Sequence, residues 1–236
     1  MMTLIIFIVN VLIAIIINMV YHLHQFSTHI EIAMKVTKAQ VQANRARVVE
    51  TASLLFRERG YDGVGIADLM SVAGLTHGGF YKHFASKSDL IAESAACGLA
   101  QTVERSVGVE ITELVKNYLS REHRDNRSNG CTLAALGGDA ARQPEAVRAS
   151  FAVGIEKILA TLSKTTVDVD VDVVEARAGR AQNLAVLACA VGALVMSRAC
   201  PDDLPLADEI LSINLDNILA TLSASKANRD FDSPIS

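Results

Sequence analysis

Tryptophan is absent from the 236 residues, and the other aromatics are few: seven Phe and four Tyr. Proline occurs four times and glycine 14 times, which excludes collagen-like and linker-rich chains. The four cysteines, Cys97, Cys131, Cys189 and Cys200, form no C-x-x-C pair and have no histidine at zinc-finger spacing. A disulfide framework does not suit so long a chain with so few of them. Free thiols in a reducing cytoplasm are expected. The G-x-S-x-G, H-E-x-x-H, phosphate-loop and dinucleotide patterns are missing too. An enzyme is therefore not expected, nor a cofactor or metal. Half the residues are apolar and a fifth are charged, so a folded core is expected rather than disorder.

Positive charge is also missing ahead of Lys35, and the first charge of either sign is Glu31. Residues 1–20 carry no charge, and about 20 such residues span a bilayer as a helix. A signal peptide needs a basic start and a small-residue cleavage site, and neither is there. Two readings stay open for an apolar leader over 1–33. It is a membrane anchor, with Lys35, Lys38, Arg45 and Arg47 holding the rest of the chain in the cytoplasm. Otherwise the working protein starts at Met34, where the composition turns abruptly polar and basic.

The charge that is present is unevenly placed. Residues 35–90 hold eight Lys/Arg and five Asp/Glu, a balance of +3; residues 91–236 hold 14 and 20, a balance of −6. In the basic block, Val48, Ala52, Leu55 and Phe56 recur at helical spacing over Asn44–Arg59, with Arg and Glu expected opposite. Gly60 stops that helix. A second helix is predicted over Ile66–Ala73, with Gly74 breaking it. Thr76 is placed to N-cap a short third helix through Phe84, and Ser86 a fourth, with Asp89 three residues on. Two short helices joined by a glycine-containing turn form a helix-turn-helix, whose second helix enters the major groove of DNA by its N-terminal end. Five of the 11 Phe/Tyr fall here, enough to give a small three-helix unit a core. Phe80 and Phe84, four apart, are predicted to pack inward. Thr76, His77, Gly78 and Gly79 form the exposed leading turn. The glycines read nothing by side chain, but let backbone approach bases, or simply avoid a clash with them.

The stretch RVVETASLLFRERGYDGVGIADLMSVAGLTHGGFYKHFASKSDL resembles the DNA-binding domain of the TetR/AcrR transcriptional regulators, most specifically over AGLTHGGFYKHFASKSDL. Gly65 departs from that pattern, which usually has Ser or Thr as the second helix's cap. The resemblance implies a cytoplasmic, homodimeric regulator, a repressor that binds a double-stranded DNA operator and is released by a small-molecule effector. A membrane partner enters only if the leader is retained. It also implies phosphate contacts by Tyr81, His83 and Lys87. Lys82 is either solvated or a groove contact.

Beyond residue 90 the patterning is helical throughout, so the chain is expected to be all-α. The expected parts are a leader (1–33), a helix-turn-helix domain (34–90), a helical ligand-binding and dimerisation domain (91–224) and a tail (225–236). One helix is predicted over residues 109–123, then a charged loop to Gly130, then a short helix from Cys131. The alternating TTVDVDVDV is predicted to be an acidic loop, since no second strand exists for it to pair with. Residues 181–197 are apolar nearly all round, which suits a buried or dimer helix; Ala185, Ala188 and Gly192 permit close approach. Only Tyr118, Phe151 and Phe231 are aromatic after residue 90, so an aliphatic pocket is expected. Cys131 stands at a helix start near Arg121, Arg124 and Arg127, a setting that lowers a thiol pKa. It is the candidate for thiol sensing, against the alternative of a small core residue.

Overall fold

The structure, a computed structural model, describes residues 2–166 and 173–232, with side chains over 15–25, 38–163 and 176–225. Most of the alternating acidic segment therefore lies outside the described residues. All the regular elements described are helical. The chain divides into two units, residues 1–47 and 48–236. Helix α1 is assigned over Met2–Arg59, earlier than the predicted start at Asn44. The reason is local: no proline or glycine occurs between residues 2 and 59, so the change of composition at Met34 carries no helix breaker. In the first unit Ile15, Ile16, Ile17, Met19, Val20, Tyr21 and Leu23 are all more than half exposed.

In the second unit the end of α1 buries Val48, Ala52, Leu55 and Phe56. Gly60, at φ +73°, ends the helix in the left-handed region. Helix α2 (Ile66–Val72) follows Gly65, and Gly74, at φ +71°, turns the chain out of it. The third helix is not α but 3-10, His77–Lys82, and Thr76 precedes it without a side-chain cap. Gly78 and Gly79 explain the difference, since two successive glycines weaken an α-helical start. Helix α3 (Lys87–Ser106) is the predicted fourth helix. Ser86 caps it, its Oγ accepting from the Asp89 N–H at 3.1 Å. Phe56, Tyr61, Met70, Phe80, Phe84 and Leu90 form a buried cluster that locks these elements together. Arg57 departs from its expected place on the polar face: it is 3 % exposed.

The remaining helices are α4 (Ile111–Tyr118), α5 (Arg121–Asp125), α6 (Thr132–Ala140), α7 (Glu145–Thr166), α8 (Val173–Ala199) and α9 (Pro205–Asp232). The single helix expected over 109–123 is thus broken. Ser120 is the cause: its Oγ accepts from the His123 N–H at 3.1 Å and starts a new helix. Helix α7 packs on α3, and α9 on α8. Residues 176–199 are long and apolar enough to cross a membrane. Their buried side, however, places Val186, Ala190, Ala193 and Leu194 in one core with Leu211, Ile218 and Leu222 of α9.

Candidate nucleic-acid interface

The 3-10 helix has an anchored side and an open side. Phe80 is fully buried and Phe84 3 % exposed, their ring centroids 5.5 Å apart. Anchoring those rings leaves Thr76, His77, Gly78, Tyr81 and Lys82 exposed, with Gly79 and His83 half-buried. Tyr81 stands edge-on to Phe80 at 5.2 Å and is 66 % exposed, so its phenol faces solvent over an apolar support. The protein itself demands neither glycine. A Cβ at Gly78 would meet nothing within 4 Å, and one at Gly79 only Met70 Cε and Thr76 Oγ1, both at 3.6 Å.

Lys87 is held in place. Its Nζ donates to the Tyr61 carbonyl at 2.6 Å and sits 5.9 Å from the centre of the Phe56 ring. That bond sets an ammonium in the first turn of α3, where a cation opposes the helix dipole. Two of its three N–H donors are left over for an anion. At the start of α2, Gly65 has extended backbone (φ −80°, ψ 150°) and no side-chain cap, as its sequence implies.

Cys131 lies elsewhere, in front of α6, and is 4 % exposed. Its backbone N–H donates to His123 Nε2 at 3.2 Å, while His123 Nδ1 lies 2.6 Å from the Tyr118 carbonyl. The imidazole is therefore neutral with its proton on Nδ1, and burial pushes its pKa down. Two of the three expected cations are engaged with acids. Arg121 pairs with Asp125 and Asp208, and Arg124, 2 % exposed, with Asp125 and Asp202. The exposure that a reactive thiol needs is not found at Cys131.

Sequence reasoning missed a second basic group. Arg57, Glu58, Arg59, Gly60, Arg127 and Arg198 line a cavity of about 420 Å³ together with small residues of α6 and α8. An aliphatic groove of about 260 Å³, including Leu99, Val153 and Gly154, lies between α3 and α7. The spacing Ser53–Arg57, on the buried side of α1, was the available signal: a serine hydroxyl four residues before an arginine on an otherwise apolar face.

Residues 48–94 match the family of bacterial regulatory proteins, tetR family. Over 55 residues the chain is 38 % identical to the HTH-type transcriptional regulator TtgR of Pseudomonas putida, covering 23 % of this chain and 26 % of that one. It is 37 % identical over 54 residues to the HTH-type transcriptional repressor KstR2 of Mycobacterium tuberculosis, covering 23 % and 27 %. The match thus spans about a quarter of the length of these relatives. The fold match is wider. A TetR transcriptional regulator from Chloroflexus aurantiacus superposes with a TM-score of 0.61 at 20 % identity, over 78 % of this chain and 96 % of that one. The reduced form of E. coli NemR does so at 0.56 and 19 %, over 74 % and 95 %. The segment 48–94 thus resembles the DNA-binding part of tetR-family regulators, and the wider likeness to solved structures is one of fold.

Proposed function

We propose that the protein is a homodimeric transcriptional regulator, a repressor that binds a pseudo-palindromic DNA operator in the cytoplasm and is released by a small ligand. The observation that carries this reading is the 3-10 helix, anchored through Phe80 and Phe84 and exposed at Thr76, His77, Gly78, Tyr81 and Lys82. His77 reads a base edge. Gly78 and Gly79 let backbone close on the groove, Tyr81, His83 and Lys87 bind phosphates, and Lys82 lies along the groove wall. Phosphate contacts fix register, and base contacts give sequence preference. The exposed apolar residues of α8 and α9 support pairing with a second copy.

The test is selection of sites from random DNA by the purified full chain, followed by footprinting. A protected site with two-fold symmetry is expected, its half-sites about one helical turn or a multiple apart. Lys87→Ala should weaken binding to all sequences alike and reduce the salt slope by about one. His77→Ala should change the preferred bases. A footprint without symmetry, or equal losses on operator and random DNA for His77→Ala, would refute the assigned roles.

A further inference from the structure

The charges around the 420 Å³ cavity do not balance. Arg57 donates through Nε to the Ser128 carbonyl at 2.6 Å, and through Nη1 to Ser53 Oγ at 2.7 Å and Thr132 Oγ1 at 3.2 Å. All three acceptors are neutral, and Nη2 has no hydrogen-bond partner among the described residues although the side chain is buried. Arg198 is held by two carbonyls, those of Arg124 at 2.9 Å and His123 at 3.0 Å. Among the described residues neither Arg57, Arg127 nor Arg198 forms an ion pair; the cavity's only acid, Glu58, sits 3.5 Å from Arg59. Burial pushes the Arg57 and Arg198 pKa values down, and neighbouring cations add to it: Arg105 for the first, Arg127 and Arg124 for the second. An unpaired guanidinium in such a place is costly, and an anion in contact with it removes the cost.

The fold is built to admit these heads. A Cβ at Gly98 would clash with Arg57 Nη1, Ser53 Oγ and Thr132 Oγ1. One at Gly130 would lie 3.0 Å from the Asn126 carbonyl, 3.1 Å from Arg198 Nη2 and 3.2 Å from His123 Nε2. The two glycines, from α3 and from the turn before α6, therefore make room for two cations that nothing in the described chain neutralises.

We propose that this cavity binds a small anion with a phosphate or carboxylate head, bridging Arg57 and Arg59 at the end of α1 to Arg127 and Arg198. Duplex DNA is a poor occupant, because its phosphates cannot enter far enough to reach a guanidinium that is 3 % exposed. Arg57 belongs to the helix that carries the helix-turn-helix, whereas Arg198 belongs to α8. An anion held by both favours one setting of the DNA-binding helices over another, which is the differential affinity an effector requires. Anion binding stands alone; its effect on DNA rests on the proposed function above.

The probe is inorganic phosphate, titrated into the purified full chain during thermal unfolding, with sodium chloride at matched ionic strength. A saturable rise in Tm with phosphate alone is expected. Arg127→Ala, at an exposed position, should raise the apparent phosphate Kd about tenfold, the weight of one charge-assisted hydrogen bond. Arg142→Ala, exposed and paired with Asp139 outside the cavity lining, should leave it unchanged. Equal responses to phosphate and chloride, or an Arg127→Ala variant that binds like the parent, would overturn the site. So would one-for-one displacement of phosphate by random duplex. In a second arm, saturating phosphate should change affinity for the selected operator at least threefold. If phosphate binds and operator affinity does not move, the coupling is overturned. If no operator can be selected at all, the regulator reading fails while the anion titration still stands.

Discussion

Gly78 and Gly79 are costly in a helix start, and the protein's own packing gives no reason for them. Gly78 has open space where a Cβ would go. Gly78→Ala should therefore keep or raise thermal stability, by up to about 1 kcal/mol, while lowering operator affinity. Parallel melting and DNA-binding titrations check this; undiminished binding would mean that backbone does not approach the groove there. His123 gives a different kind of test. Its ring accepts the Cys131 N–H through Nε2, so a second ring proton would set two donors against each other. Burial lowers its native pKa, aided by Arg198 and Arg105 and opposed by the Tyr118 carbonyl, whereas in the unfolded chain it titrates near 6.5, the ordinary value. Between those two values the unfolded state binds more protons. The contribution is therefore intact above the ordinary value and is lost as pH falls through it toward the native one. Urea midpoints of the parent should decline over that range, and His123→Gln, less stable at pH 8, should show a flatter decline. Identical pH slopes in parent and variant would show that another group is responsible.

The start of α2 has no side-chain cap, as is also true of the 3-10 helix, and it carries glycine where a hydroxyl would accept from the first turn. Gly65 has φ −80°, open to any residue, and a Cβ there would meet only Asp68 Oδ2, at 3.6 Å. Gly65→Ser should add a few tenths of a kcal/mol of stability through the cap. It should also tighten binding to operator and random DNA alike, since a hydroxyl at that helix start can reach phosphate. Loss of stability would mean that the turn 61–65 tolerates only glycine. Where helices stop was legible in the sequence. Gly60 and Gly74 both adopt positive φ, and Ser86 caps α3 as its spacing to Asp89 suggests. Where helices continue or divide was less so. The composition step at Met34 looks like a boundary but carries no breaker, while Ser120 inside an amphipathic run acts as one. The aromatic core and the exposed leading turn followed from spacing four apart. The buried arginines did not, because the groups that hold Arg57 and Arg124 lie mostly far along the chain, and Arg57 Nη2 is left without a partner among the described residues.

In the proposed dimer two recognition turns need a fixed separation, which the second copy would supply. On α8, Leu184, Val195 and Met196 are 46–58 % exposed, and on α9 Leu206 and Ile213, seven residues apart, are each 50 % exposed. The buried sides of the same helices already pack on each other, so these residues are left exposed on α8 and α9, Val195 at the lining of the basic cavity, and the others are assigned to the face of the proposed dimer. The exposed Ala185 and Ala188 keep that face low enough for a close helix approach. A two-fold interface uses each residue twice. Ile213 is half-exposed, so covering it buries about 0.8–1.5 kcal/mol of transfer free energy per copy, and its loss costs the dimer about 1.5–3 kcal/mol. Ile213→Glu should accordingly raise the dimer dissociation constant by about 10- to 10²-fold, while α9 keeps its place through Leu211, Ile218 and Leu222. Light scattering across a dilution series reads the dissociation, and circular dichroism checks the fold. Operator affinity should drop with it, since a monomer engages one half-site, whereas binding to random DNA per chain should change little. An Ile213→Glu protein that is still dimeric would move the interface off this face. A parent that is monomeric at the concentrations where it binds its operator would remove the dimer from the mechanism.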